Sequence, residues 1–354
     1  MNIGINARTF SINSPAGAIQ VGIQHTKNLL KNMGTKCTLY GHPEGQQWFD
    51  TNLRYQSQFF PYNSQSYGVI WERSVLPMLA ALDDLDVLFC PNANVPPLGS
   101  NAHQTVVMIH HVGTEHGHSS IQRAYRRIAI PSGVQYADKV VTVSEFSKKK
   151  IVEELQIDES NVHVIYNGVD DIFFNDVKET NIDLPDDFIL FVGSTDERKN
   201  LSRLLAAYKQ LNSDIELVVV GAQNGIAFGK EQVDRSEIIN LGYVSERELR
   251  YIYEQATLLA YPSLYEGFGL PPVEAAACGT PVLTSNVSAI PEIMGEAAEY
   301  VDPLDVTSIR NGLDIIHDPE RLTELSRKGK KQAKKYTWEK ATKRLMKVFN
   351  QSTR

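Results

Sequence analysis

The sequence predicts an α/β protein with two doubly wound domains, and three observations support this prediction. At 354 residues the chain is too long for one typical hydrophobic core. Short apolar runs typical of strands alternate with amphipathic stretches typical of helices, and this alternation runs through the chain twice. Because most of the short runs are apolar throughout, they indicate parallel sheets whose two faces are covered by helices.

The first series of predicted elements occupies the N-terminal half of the chain. Residues 20–33 predict a helix, because Val21, Ile23 and Leu29 fall on or near one face. Ser144 follows an apolar run and stands at the cap position of a second helix. The predicted strands cover residues 1–6, 86–90, 105–109, 139–143 and 162–165.

The second series begins after a turn region at residues 167–179. Residues 245–255 predict a helix in this half. The predicted strands cover residues 188–192, 216–220, 238–241, 256–261 and 281–284. This organisation gives predicted domains at 1–172 and 173–336, and we expect a last helix over about 337–354 to pack back on the first domain.

Composition excludes several classes of protein. The formal net charge of −7 argues against a general nucleic-acid binder. The three cysteines, Cys37, Cys90 and Cys278, are far apart and odd in number, which argues against a disulfide framework and favours a reducing compartment. No apolar run reaches the roughly 18 residues that a membrane span needs, and the start lacks a secretory signal pattern. We therefore expect a cytoplasmic protein.

The chain after Pro319 is helical in pattern and strongly basic. One side of the last helix is apolar, and its members are Trp338, Ala341, Leu345 and Val348. The basic residues are Lys328, Lys330, Lys331, Lys334, Lys335, Lys340, Lys343, Arg344 and Lys347. This pattern is typical of a solvated helix that packs one stripe on the protein body, and it also fits peripheral contact with anionic lipid headgroups at the inner face of the plasma membrane.

The most informative segment is 261–281, YPSLYEGFGLPPVEAAACGTP. Gly267 and Gly269 allow a tight turn and a close approach of the backbone to a ligand. Pro271 and Pro272 suit the first turn of a helix, which Gly279 ends. The amides of this turn therefore lie at a helix N-terminus beside the carboxyl end of a parallel sheet. Such a place binds anions and suits a diphosphate.

Two carboxylates flank this turn, with seven residues between them. Glu266 lies in the loop and Glu274 in the first turns of the helix. Because a carboxylate can accept hydrogen bonds from two hydroxyls, each suits a vicinal diol on a sugar or a ribose. In the simpler interpretation Glu266 is solvated and Glu274 complements the helix dipole.

The segment EGFGLPPVE, followed by ACGTPVLTSNVSAIPEIMGEAAEYVDP, resembles the donor-site signature of the GT4 family of retaining glycosyltransferases. The segments FVGSTDERKNLSRLLAAY and ADKVVTVSEFSKKKIVEEL also resemble family segments, in the family's order. The resemblance implies the GT-B fold, in which two Rossmann-like domains face each other across a cleft. It also implies a metal-independent enzyme that retains anomeric configuration.

The resemblance assigns roles to matching residues of the second half. It places Glu266 on the donor sugar and Glu274 on the ribose. Arg198 and Lys199 match a basic pair that neutralises the leaving diphosphate. The backbone at Gly267, Phe268, Gly269 and Leu270 would hold the sugar and phosphates, and the base would stack along Tyr243 and Val244.

The chain departs from the family pattern at three places. Many members have an arginine after the glycine that ends the first strand of the second domain, whereas Ser194 follows Gly193 here. His110 matches a histidine that lies beside donor and acceptor, but His111 replaces the usual aspartate. Only Gly17 remains where relatives often have two adjacent glycines, and it fits either a phosphate contact or an ordinary turn.

Two patterns contain potential metal ligands, but their surroundings argue against a metal site. The histidines 110, 111, 116 and 118 have Glu115 as their only nearby acidic or cysteine ligand. Asp84 and Asp86 form a D-x-D pattern, but they precede a strand instead of following one. We therefore expect no metal and no cofactor.

The resemblance leads to one expected function and several alternatives. The wording of the motif resembles bacterial mannosyltransferases, so GDP-mannose is the favoured donor and a UDP-hexose the alternative. The expected acceptor is a growing polysaccharide or a lipid-linked glycan. No carboxylate can be assigned as a covalent nucleophile, which favours attack on the same face of the sugar. The alternatives are a sugar-nucleotide epimerase, a phosphorylase and an inactive sugar-nucleotide-binding subunit.

Overall fold

The structure is a computed structural model of the 354-residue chain. It describes residues 1–11, 17–33, 36–49, 54–56, 65–93, 95–96, 102–110, 131, 134–176, 180–194, 196–221, 227–228, 231–232 and 238–351. The chain forms two compact units, which we call the N-terminal and C-terminal units. The first comprises Met1–Asn167 with Trp338–Arg354, and the second comprises Gly168–Thr337. The predicted bounds had placed these divisions after residues 172 and 336.

The N-terminal unit contains a seven-stranded parallel sheet. Its strands are β1 (Ile3–Asn6), β2 (Cys37–Tyr40), β3 (Arg54–Gln56), β4 (Val87–Cys90), β5 (Gln104–Met108), β6 (Lys139–Thr142) and β7 (Val162–Val164). Their order in the sheet is β3-β2-β1-β4-β5-β6-β7, so the winding direction reverses between β1 and β4. Described helices of this unit are α1 (Ala18–Met33), α2 (Gln65–Leu82) and α3 (Glu145–Leu155).

The C-terminal unit contains a six-stranded parallel sheet and a short antiparallel pair. The sheet strands are β8 (Phe188–Val192), β9 (Glu216–Val220), β12 (Ile239–Gly242), β13 (Leu258–Tyr261), β14 (Val282–Ser285) and β15 (Glu299–Val301). The antiparallel pair is β10 (Ala227–Phe228) with β11 (Glu231–Gln232). The sheet order β12-β9-β8-β13-β14-β15 reverses between β8 and β13.

The helices of the C-terminal unit follow its strands. They are α4 (Leu201–Tyr208), α5 (Glu246–Gln255), α6 (Leu270–Cys278), α7 (Ile290–Met294), α8 (Val306–Leu313) and α9 (Pro319–Ala333). Ser245 caps α5 in a capping box, because its hydroxyl accepts from the Glu248 amide and the Glu248 carboxylate accepts from the Ser245 amide. The helix predicted over residues 245–255 begins at this same serine.

Burial explains why the central strands are continuous apolar runs. Every residue of β8, β13 and β14 is buried. Their side chains pack against helices, and the core includes Ile189, Leu204, Leu217, Leu258 and Leu283. A parallel strand with helices on both faces gains apolar burial from every residue, at roughly 25 cal/mol per Å². This packing fixes the sheet whose carboxyl edge carries the site described below.

The last helix, α10 (Trp338–Phe349), belongs to the N-terminal unit and contacts α1. The apolar stripe of Trp338, Ala341, Leu345 and Val348 is buried. The Trp338 ring packs edge-on against His25, with ring centroids 5.1 Å apart. Among the described residues, no helix is both long and apolar enough to cross a membrane.

Candidate active site

The turn between β13 and α6 has the backbone that the sequence predicts. Gly269 has φ +92°, and a Cβ at this position would lie 2.4 Å from Ile290 Cδ1. Only glycine combines that backbone with so close a neighbour. Pro271 and Pro272 lie in the first turn of α6, and Gly279 ends the helix with φ +93°. The predicted glycine turn and the helix that it begins are therefore both present.

Glu266 is the centre of a buried ion cluster. Its side chain is 10% exposed, and one oxygen, Oε1, accepts four hydrogen bonds. Arg198 Nη1 lies 2.7 Å from it and Lys199 Nζ 2.8 Å. Tyr261 Oη and Ser263 Oγ each donate to it at 2.8 Å. The cluster therefore joins the turn after β8 to the turn after β13, at the point where the sheet order reverses.

The charges in this cluster stabilise one another. Burial alone would raise the pKa of Glu266, but Lys199 and Arg198 outweigh it and lower that pKa to about 2. Burial lowers the pKa of Lys199, and the neighbouring Arg198 lowers it further, while Glu266 opposes both effects. Lys199 also donates to Tyr261 Oη and lies over the Tyr261 ring, 4.9 Å from its centroid. The Glu266 carboxylate is therefore ionised at neutral pH.

The second oxygen of Glu266 has a different environment. Within the described part of the chain, all the side-chain hydrogen bonds of Glu266 go to Oε1, and none goes to Oε2. A carboxylate oxygen has two lone pairs and can accept from ligand hydroxyls. The geometry thus separates two tasks, because Oε1 holds the cations and Oε2 is available to a ligand.

The pKa of Glu274 is shifted in the opposite direction to that of Glu266. Burial raises its pKa to about 7, and the charges of Glu246 and Asp170 raise it too. A hydrogen bond from Tyr253 Oη, 3.2 Å from Glu274 Oε2, works against this shift. At neutral pH the Glu274 carboxyl is therefore close to the midpoint of its titration, in contrast to Glu266.

The other predicted donor-site residues lie at the ends of neighbouring elements. Phe268 buries its ring against Tyr336, with centroids 5.3 Å apart, so its backbone is the part that can serve a ligand. Tyr243 follows β12 and is 75% exposed, as a stacking platform for a base requires. Gly193 directly follows β8, and its missing side chain leaves room for Lys199, whose Cγ would be 3.4 Å from a Cβ.

Ser194 does not replace the charge of the arginine found in many relatives. Its hydroxyl donates to Asp196 Oδ2 at 2.9 Å. Asp196 in turn acts electrostatically on Arg198 and Lys199. The positive charge of this turn is therefore supplied by Arg198 and Lys199.

Two predicted site residues belong to the N-terminal unit. His110 follows β5, and its Nε2 lies 2.9 Å from the carbonyl oxygen of Pro91, which follows β4. Gly17 precedes α1 with φ +55°, and a Cβ there would meet nothing within 4 Å. The conformation of Gly17 favours glycine, whereas its surroundings do not demand it.

The structure describes only parts of the two metal-like patterns. His111, Glu115, His116 and His118 lie outside the described residues. In the part of the chain that the structure does describe, no group of three potential ligands could hold a metal ion. Asp86 accepts from the amide of Asn2 at 2.6 Å and precedes β4, as expected.

Sequence reasoning missed the partners that fix the charged residues. Tyr261, Ser263 and Tyr253 hold the two glutamates, and Asn200 and Ser288 hold the backbone around them. Tyr261 ends a predicted strand at the carboxyl edge of the sheet and Ser263 follows it by two residues, which was a usable signal. Ser288 is 22 residues from Glu266 in the chain, and nothing in the sequence indicates their contact.

Comparison with known proteins agrees with this architecture. Residues 173–335 match the family model described as glycosyl transferases group 1, and residues 19–172 match the one described as glycosyltransferase family 4. Two doubly wound units with this site define a protein of the GT-B fold. The two models together match residues 19–335, which confirms the resemblance to family 4 glycosyltransferases read from the motifs.

Two relatives carry specific names. The O-antigen chain mannosyltransferase RfbU of Salmonella typhimurium strain LT2 is 31% identical over 214 residues, which cover 59% of each chain. The O-antigen chain mannosyltransferase B of Escherichia coli is 36% identical over 165 residues, 44% of this chain and 43% of that protein. The matched part of the chain thus spans only about half the length of these relatives.

Solved structures share the fold along the whole chain. Sucrose-phosphate synthase from Thermosynechococcus elongatus superposes with a TM-score of 0.79 at 19% identity, over 98% of both chains. The Anabaena protein HepE, solved in complex with UDP and glucose, gives a TM-score of 0.75 at 15% identity, over 98% of this chain and 99% of its own. At these identities the likeness establishes the fold.

Proposed function

We propose that this protein is a metal-independent, retaining glycosyltransferase that moves a hexose from a nucleotide-sugar to a glycan or lipid-linked acceptor. The observation that carries the proposal is the cluster of Glu266, Arg198 and Lys199 beside the glycine turn at the start of α6. Two partly buried cations near a helix N-terminus suit a diphosphate, and a carboxylate oxygen beside them suits a sugar hydroxyl.

The chemistry follows from where charge develops. As the bond from the sugar to the diphosphate breaks, negative charge grows on the leaving phosphate. Cations that are already oriented stabilise this charge more in the transition state than in the ground state. Glu266 orients Arg198 and Lys199 through an ion pair with each of them. In this proposal the acceptor attacks the same face of the sugar, and the departing phosphate takes its proton.

Glu274 is proposed to bind the ribose. Its carboxylate can accept from both ribose hydroxyls, and the exposed Tyr243 ring can stack on the base. These roles leave the base undecided between guanine and uracil. GDP-mannose is favoured because the two named relatives are mannosyltransferases, while HepE, solved with UDP and glucose, keeps a UDP-hexose as the alternative.

The acceptor and the location are also proposals. The two named relatives are O-antigen chain mannosyltransferases, which supports a role in polysaccharide synthesis and a glycan or lipid-linked acceptor. The proposed location is the cytoplasm. The basic residues of α9 and α10 would allow peripheral contact with the inner face of the plasma membrane.

Slow hydrolysis of a panel of nucleotide-sugars tests this function. The wild-type protein should hydrolyse one donor above all others, with GDP-mannose expected, and should do so in EDTA. Nuclear magnetic resonance of the first-formed sugar should show retained configuration. Glu266→Gln should slow the reaction by about 10²–10³. Glu320→Gln, which changes an exposed acid in the first turn of α9, should leave it unchanged. Release of an epimerised nucleotide-sugar would support the epimerase alternative. Binding without turnover would support the inactive subunit.

A further inference from the structure

Two non-glycine residues in the described part of the C-terminal unit have left-handed backbone, Asn200 at φ +62° and Ser288 at φ +60°. Asparagine adopts this conformation fairly readily, but serine rarely does. Strained residues of this kind persist where their surroundings hold them, and they concentrate at functional sites. Asn200 directly follows Lys199, and Ser288 contacts Glu266, so both adjoin the ion cluster.

The connection from β14 to α7 holds the main chain of Glu266 at two points. The Glu266 amide donates to Ser288 Oγ at 3.1 Å, and the Ala289 amide donates to the Glu266 carbonyl at 3.3 Å. Glu266 is 8% exposed, so its amide depends on this acceptor. Its side chain is held separately by the four donors on Oε1. Ser288 is thus a support for Glu266 from an element that carries none of the charged groups.

Glycine would be the residue of choice at Ser288 if backbone conformation alone mattered. Glycine adopts φ +60° without strain, but it has no hydroxyl to accept from Glu266. A serine here retains the strain and supplies the hydrogen bond. The hydroxyl is therefore the property that distinguishes the residue present from the residue that the backbone favours.

We propose that Ser288 is a positioning residue, whose hydroxyl fixes the Glu266 main chain so that Oε1 meets both cations while Oε2 faces the donor sugar. This inference rests on the proposed function for its meaning in catalysis. The proposal identifies a positioning residue that contacts neither the substrate nor the cations. It also explains why a serine keeps the strained backbone at this position.

Three substitutions separate the hydroxyl from the strain. Ser288→Thr keeps the hydroxyl and increases the strain, because a β-branched residue is poorly accommodated at positive φ. Ser288→Gly removes the hydroxyl and the strain together, and Ser288→Ala removes the hydroxyl alone. We expect the melting temperature to rank glycine above alanine above threonine. We expect kcat to rank in a different order, with threonine within about twofold of wild type and both alanine and glycine at least roughly tenfold lower.

A control variant isolates the effect of relieving strain. Gln156 ends α3 in the N-terminal unit with φ +53°, and its side chain is exposed. Gln156→Gly should therefore leave kcat and the KM for the donor unchanged. If Ser288 had a purely structural role, the kcat of its variants would follow their melting temperatures. An active Ser288→Gly variant or an impaired Ser288→Thr variant would therefore overturn the proposal.

A second measurement does not depend on turnover. Carboxyl carbon resonances of glutamate-labelled protein, with Glu266 assigned through Glu266→Gln, report the pKa of that carboxyl, which is about 2 in the intact cluster. Ser288→Gly should raise this pKa by a unit or more, and Ser288→Thr should not change it. If no nucleotide-sugar is turned over, the proposed function is contradicted but the positioning role is not. The positioning role is overturned if the pKa of Glu266 is unchanged in Ser288→Gly.

Discussion

Glu266 offsets part of the charge of the two cations that the donor diphosphate would use. Removing its charge should therefore have opposite effects on nucleotide binding and on sugar transfer. Glu266→Gln removes the negative charge beside Arg198 and Lys199. Binding of UDP or GDP should become several-fold tighter, because the cations lose an internal competitor. Sugar transfer should fall by about 10²–10³, because the cations and the sugar lose their common anchor. Calorimetry and kcat measure the two effects separately.

The exposed variant Glu320→Gln is the matched control for this charge change, since it alters the net charge equally at a distance from the cluster. Both its nucleotide affinity and its kcat should equal those of wild type. Weaker nucleotide binding in Glu266→Gln would show that Glu266 contacts the nucleotide directly, and would contradict the separation of tasks between its two oxygens.

Glu274 predicts a pH dependence of donor binding. Its pKa is raised to about 7 by burial, and only the ionised form accepts from both ribose hydroxyls. Affinity for a nucleotide-sugar, whose diphosphate diester does not titrate in this range, should be constant above pH 7. It should fall by up to about tenfold per pH unit below it. Glu274→Gln should bind more weakly at pH 8 and show no such slope, and a slope that persists in this variant would assign the titration to another group.

At the residue scale the sequence could predict the charged groups but not their partners. Glu266, Glu274, Arg198 and Lys199 stand in motifs whose spacing implies a ligand. The four donors on one oxygen of Glu266 come from two separate turns, and only the folded sheet brings them together. The raised pKa of Glu274 could not be predicted from the sequence either, because it results from burial in the folded unit.

At the element scale, the glycine turn before α6 predicts a rescue experiment. Gly269→Ala should lower both stability and donor affinity, since its Cβ would lie 2.4 Å from Ile290 Cδ1 at φ +92°. Ile290→Val removes that methyl group. The double variant should therefore recover part of the lost stability, with a coupling energy of about 0.5–3 kcal/mol, while the strain at positive φ remains. Thermal melts of the four proteins measure the coupling, and strictly additive effects would contradict the contact.

The strands that the sequence predicted are mostly ones with an apolar run. Strands β8 and β13 are continuous apolar runs, and β9 and β14 contain shorter ones. The predicted positions of all four agree with the structure. In the two parallel sheets, strands β2, β3 and β15 were missed, and so was the short antiparallel pair of β10 and β11. The three missed strands of the parallel sheets are short and polar in part, as CTLY, RYQ and EYV, and β3 and β15 are edge strands with one neighbour each. Their pairing partner, and not their pattern, decides their conformation.

At the scale of the whole molecule, two buried carboxylates of the C-terminal unit shift stability with pH in opposite directions. The pKa of Glu266 lies below its ordinary value of 4.5, so its stabilising effect is complete above that pH and is lost as the pH falls towards 2. The pKa of Glu274 lies above 4.5, so the folded state binds more protons than the unfolded state between pH 4.5 and 7. Through Glu274 the free energy of unfolding therefore decreases as the pH rises across that window.

The difference between wild type and Glu274→Gln isolates the second effect, because all other titrating groups are common to both proteins. A shift from 4.5 to about 7 corresponds to roughly 2–4 kcal/mol, so wild type should lose about this much stability relative to the variant between pH 4.5 and 7.5. Glutamine still accepts from Tyr253 Oη, which keeps the local hydrogen bond. Urea unfolding at several pH values measures the difference. Parallel curves for the two proteins would mean that Glu274 is ionised throughout, and would also remove the expected slope in donor binding.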